Sequence, residues 1–98
     1  MAFYHVAFTA CMTIQGGPHD CQPEKMVDTK FMGLVNCYSA AKQVEDMAVQ
    51  SANKSASEQN VTLSDVKITT RCLTLKEGEE FLIKNGPTAL IVTGKEFN

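Results

Sequence analysis

The chain has 98 residues, 44% apolar and 20% charged, with a formal net charge of −2 and a pI near 5.6. This composition implies one globular domain over residues 1–98, small enough that one or two cross-links matter to its stability. Lysines and arginines are scattered, which speaks against nucleic acid as a partner, since nonspecific affinity comes from neutralised phosphates; no apolar run approaches the ~20 residues of a membrane-spanning helix.

Residues 2–14 alternate, with Tyr4, Val6, Phe8, Ala10, Met12 and Ile14 on one side and His5, Ala7, Thr9, Cys11 and Thr13 on the other. A period of two marks a half-buried strand. The first side is expected to be core and the second, with His5 and Cys11, to face solvent. The segment lacks a basic start, so it reads as a strand and not as a secretion signal, and the expected location is cytoplasmic unless this is the mature form of a secreted protein. Phe8-Thr9-Ala10-Cys11 has the look of residues before a lipidated cysteine, but ten residues without a positive charge are too short a leader.

Residues 15–20, Gln-Gly-Gly-Pro-His-Asp, are dense in turn formers and predict a loop. Within residues 24–31, Met26, Val27, Thr29 and Phe31 can return as a second strand. From residue 32 to about 57 the period changes: Leu34, Cys37, Tyr38, Ala41, Val44, Ala48 and Ala52 recur at spacings of three and four, which predicts the main helix. Residues 61–75 form a long strand candidate, with Val66, Ile68, Thr70 and Cys72 on one side and Lys67, Thr69 and Arg71 on the other.

Residues 76–87 support two readings. Thr74 with Glu77 makes a capping box and Gly86-Pro87 a stop, which favours a short helix. The rival is a strand through Phe81-Leu82-Ile83 that turns at Gly86. Residues 89–93 are apolar on both sides and predict a buried strand in either case. The expected fold is α+β: a small two-layer domain, mainly antiparallel sheet packed on one long helix. Its order is β-β-α-β, then a short helix or strand and a C-terminal strand.

The four cysteines, Cys11, Cys21, Cys37 and Cys72, are the one chemical theme. With consecutive elements antiparallel, Cys11 and Cys21 flank one loop, whereas Cys37 near the helix start and Cys72 near the end of the following strand lie at the other end of the domain. Of three connectivities this favours Cys11 with Cys21 and Cys37 with Cys72; with the long strand running the other way, Cys72 would come up beside Cys11 and the choice would change. Structural zinc sites bring ligand pairs two to four residues apart, and none is present. A Cys-x-x-Cys redox motif is absent as well.

Thr9-Ala10-Cys11, Pro18 and Cys21, Cys37 within an alanine-rich helix and Arg71-Cys72 closing a strand resemble small uncharacterised four-cysteine proteins of bacteria and their phages. The resemblance covers about residues 7–73 and implies the same β-β-α-β order, with no known activity. Tryptophans that such proteins often carry before the last cysteine are missing here.

His5 reads as a surface-facing strand histidine, because no catalytic partner can be placed beside it. Gly16-Gly17 lacks the surrounding pattern of a phosphate loop and reads as a turn. Asn53-Lys54-Ser55 and Asn60-Val61-Thr62 match the glycosylation pattern, relevant only in a eukaryotic secretory pathway. The functional expectation is a non-enzymatic protein-interaction module, disulfide-stabilised and without a cofactor. It would present a sheet face or edge to a protein partner or pair with itself as a homodimer, since long strands leave edges that must be covered. The alternative is a thiol- or metal-dependent site built on Cys11, His19 and Cys21.

Overall fold

A computed structural model describes residues 2–92, which form an α+β fold with a six-stranded mixed sheet. Strand β1, Phe3–Ile14, is its centre. Gln15 and Gly16 both take positive φ (51° and 72°), and the Gly17 N–H donates to the Ile14 carbonyl at 2.9 Å, so the chain reverses in the tight sense that suits twisted strands. It then returns along β1 in three short pieces: β2 (His19–Cys21), β3 (Lys25–Val27) and β4 (Phe31–Met32), all antiparallel to β1. The single return strand expected at residues 24–31 is therefore broken and begins earlier. Pro23, lacking an N–H, separates β2 from β3, and beyond Val27 the Asp28 N–H, which alternation turns away from β1, donates to the Ile91 carbonyl.

Helix α1, Leu34–Glu58, starts at Gly33, whose φ of 81° turns the chain out of β4 and whose carbonyl accepts from the Cys37 N–H at 3.1 Å. Cys37, Ala40, Ala41 and Val44 form its buried stripe, against Val6 and Val27 of the sheet. Tyr4, Phe8, Phe31 and Cys72 close the cluster around them. The helix ends where Asn60 adopts φ 55° and donates to the Ser57 carbonyl, a left-handed stop of the kind asparagine tolerates. Strand β5, Leu63–Thr74, then runs antiparallel to β1 from Ile14 back to Tyr4. At Asp65, φ 52°, it bulges: Ser64 faces Thr13 and Lys67 faces Cys11, which leaves Asp65 and Val66 both against Met12.

Of the two readings for residues 76–87 the helix holds: α2 spans Leu75–Asn85. The Glu77 N–H donates to Thr74 Oγ1 at 3.1 Å, and the Thr74 N–H donates to Glu77 Oε1 at 2.9 Å, two orphan donors satisfied reciprocally. Gly86 (φ 87°) ends the helix, and its N–H reaches the Leu82 carbonyl. A 3₁₀ turn, Pro87–Ala89, leads into the two-residue strand β6, Leu90–Ile91, parallel to β3. The strand expected at residues 89–93 is thus shorter. Proline's fixed φ and missing donor put Ala89 into the turn, and Thr93 lies outside the described residues.

A second core lies on the face of the sheet opposite α1, where Ala7, Met26 and Leu73 meet Phe81 of α2 and Ala89. This corrects the expectation that the second side of β1 faces solvent. His5 is 9% exposed and its Nδ1–H donates to the Val27 carbonyl at 3.0 Å, while Ala7 is fully buried. The sheet is covered on both faces at this end and by α1 alone over the rest. Gly78 makes the approach possible, since a Cβ there would stand 3.1 Å from both His5 Cδ2 and Met26 Sδ.

Three outcomes follow. Gly78→Ala gains ~1 kcal/mol of helix propensity but presses on a ring pinned by its bond to Val27 and on a nearly enclosed methionine. Overpacking costs roughly 1–3 kcal/mol, so a net loss of about 1 kcal/mol in urea unfolding is expected, and a larger one for Gly78→Val. Thr74→Ala removes the cap and costs about 1 kcal/mol. The Thr74 N–H, then its hydroxyl, hold the Glu77 carboxyl below its ordinary value of 4.5. The contribution of Glu77 is therefore complete above that value and lost as pH falls through the lower, folded one. The stability gap between wild type and Glu77→Gln, measured from pH 7 downwards, should narrow only below about pH 4.5.

Candidate interaction surface

All four cysteines are paired. Cys11 and Cys21 face each other across β1 and β2, with Cα atoms 3.9 Å apart. Cys37 of α1 is bonded to Cys72 of β5, Cα atoms 6.2 Å apart, which ties the helix to the sheet. This arrangement does not favour the alternative site built on Cys11, His19 and Cys21. The two sulfurs are bonded to one another, so neither is a thiolate available to attack or to ligate. His19 is exposed and shares a 3.1 Å hydrogen bond with the Thr13 hydroxyl. Among the described residues no group of three or more His, Cys, Asp or Glu side chains is placed to hold a metal ion. His5, at the other end of β1, serves packing, and its partner is a backbone carbonyl.

Among the described residues, two grooves stand out. One, about 430 Å³, runs beside α1, where Val44, Met47, Ser51 and Ser55 stand over Phe8, Val27 and Ile91. It is apolar because the far half of α1 offers small side chains above strands that carry large ones. The other, about 320 Å³, lies between α2 and the sheet and is charged. Of its two cations, Arg71 and Lys84, the first is already engaged: Arg71 donates twice to the Glu24 carboxylate, both bonds 2.8 Å. That pairing raises the guanidinium pKa above its ordinary value.

The third feature is the outer edge of β5. Among the described residues β5 pairs with β1 alone, so a twelve-residue strand has one side open. The ladder identifies the open groups. The Gln22 N–H donates to the Ala10 carbonyl and the Gly33 N–H to the Ala2 carbonyl, so even-numbered β1 residues turn their polar groups toward β2 and β4. Odd-numbered ones turn toward β5, where their opposites are Leu73, Arg71, Thr69 and Lys67. By alternation, Ile68, Thr70 and Cys72 direct N–H and C=O outward.

Beside this edge lies an exposed apolar flank of α1. Leu34, Val35 and Tyr38 are 44%, 82% and 61% exposed. Met47 overlooks the groove on the β3 and β6 side, and Tyr38, nine residues earlier at about 100° per residue, points half a turn away. Tyr38, with Leu34 one turn before it, therefore faces the β5 side. Sequence periodicity placed both in the buried stripe with Cys37 and Ala41. The missed signal was size: Cys37, Ala40 and Ala41 let the helix sit close to the sheet, and the larger residues stand on the shoulder. The chain matches no protein-family model, no curated protein and no solved structure.

The two disulfides differ in access. Cys21 is exposed and Cys37 fully buried, so graded reduction followed by alkylation and mass analysis should label Cys11 and Cys21 well before Cys37 and Cys72. Closing 35 residues rather than 10 makes the second bond worth more by chain entropy, about 3–4 against about 2–3 kcal/mol. Paired cysteine-to-alanine variants compared in urea should follow that order.

Proposed function

We propose that this chain is a disulfide-stabilised binding domain that engages another protein through the open edge of β5 and the adjoining flank of α1. The observation that carries the reading is the coincidence of the two. Outward backbone groups of Ile68, Thr70 and Cys72 offer main-chain hydrogen bonds to an added strand, the usual basis of strand addition. Leu34 and Tyr38 offer apolar contact on the same side, and edges of this kind are ordinarily covered, charged or bent. The bulge at Asp65 and Val66 blunts the early part of the edge; residues 67–74 keep a regular one.

A photo-crosslinking residue placed at Lys67 or Tyr38 in cells that express the protein is expected to give discrete protein adducts. The same residue at exposed Glu79, on α2, is expected to give none. Equal labelling from all three positions, or none from any, would reject the reading.

A further inference from the structure

We infer that the partner at this edge is a second copy of the chain, its β5 antiparallel to the first about a two-fold axis through Thr70; this rests on the binding surface proposed above. Two antiparallel strands exchange bonds only where outward-facing residues oppose one another, so the axis can pass through any residue from Ile68 to Cys72; at Arg71 that cation would oppose its own copy, and at Cys72 the overlap shrinks to residues 70–74, where β5 ends. An axis at Thr69 sets Lys67 of each copy directly opposite Arg71 of the other, an unfavourable like-charge pair made twice. At Ile68, the pairing runs into the bulge, where Asp65 with its φ of 52° has left the ladder.

An axis at Thr70 avoids all of these. It opposes Ile68 to Cys72 and Thr70 to itself on the α1 face. On the other face Lys67 meets Leu73 and Thr69 meets Arg71, so no like charges oppose.

The same axis brings the helices together. It lies two residues, about 7 Å, along β5 from Cys72, and Cys72 is bonded to Cys37, the neighbour of Tyr38. The flank with Leu34 and Tyr38 thus stands beside the axis, and the two α1 helices lie antiparallel on one face of a continuous sheet. Edge bonds and apolar flank are satisfied by one symmetry operation, with the same patch on both copies as a two-fold interface requires. A foreign extended strand would fill the edge and leave the flank exposed.

Sedimentation equilibrium on the purified, oxidised protein tests this directly. The expected species has twice the 10.7 kDa chain mass and dissociates on dilution. Thr70→Pro removes an outward N–H that β1 does not use, so circular dichroism should stay native while association weakens at least about tenfold, ~1.4 kcal/mol. Tyr38→Glu, on an exposed position outside the core, is expected to weaken it similarly. Ile83→Glu, an equally exposed change on α2, should leave it unchanged. Thr70→Cys copies would meet at about 5.5 Å between Cα atoms and should form a covalent dimer on mild oxidation, whereas Lys67→Cys should not. A protein monomeric at all concentrations overturns the inference, as does a dimer indifferent to both Thr70→Pro and Tyr38→Glu. If such a monomer still gives adducts of other mass from Lys67 in cells, self-pairing fails while the binding surface stands.

Discussion

Strand β1 carries the hydrogen bonding of four others. β2, β3 and β4 share one of its sides in succession and β5 occupies the other along nearly its whole length, with β6 alone attached through β3. A strand paired on both sides lies inside the sheet, so its residues must suit whatever lies above and below. Val6 and Ala7, adjacent and both fully buried, point to opposite helices. The cost of centrality is a partner used on one side only: β5 gives β1 everything it has on its inner side and nothing beyond. The open edge and the buried centre are two results of one pairing scheme.

Much of this was legible in the chain itself. Alternation in residues 2–14, the change to helical spacing after residue 32, and the Thr74–Glu77 capping box each name a local structure through a local cause, and all three elements formed. What failed to show depends on distant segments. His5 looks solvent-facing until Gly78, 73 positions later, brings α2 to within contact of its ring. Nothing in the alternation of β1 encodes that approach. The outer side of β3 is a similar case, because it bonds through the Asp28 N–H to Ile91, near the far end of the described chain.

The candidate surface was legible in part for the same reason. Long strands imply edges, so the existence of an open edge could be anticipated, but which edge stays open depends on β6 joining β3 and not β5. The shoulder residues Leu34 and Tyr38 have the spacing of a core stripe. Only the tight seat of α1, drawn in by small side chains and by the bond from Cys37 to Cys72, leaves them outside. Periodicity reports which residues share a helical face; it does not report how much of that face a flat sheet can reach.

The positions of the two cross-links along the chain bear on how the protein is made. The loop between residues 11 and 21 closes before residue 37 is reached, so the two loops neither overlap nor nest. The first needs only a local turn, which β1 and β2 form between neighbours. Once it is closed, two thiols remain and only one further bond can form. Oxidation from the N-terminal end therefore reaches this connectivity without rearrangement. A chain emerging progressively into an oxidising compartment would have its choice of partners made by the order in which its cysteines appear.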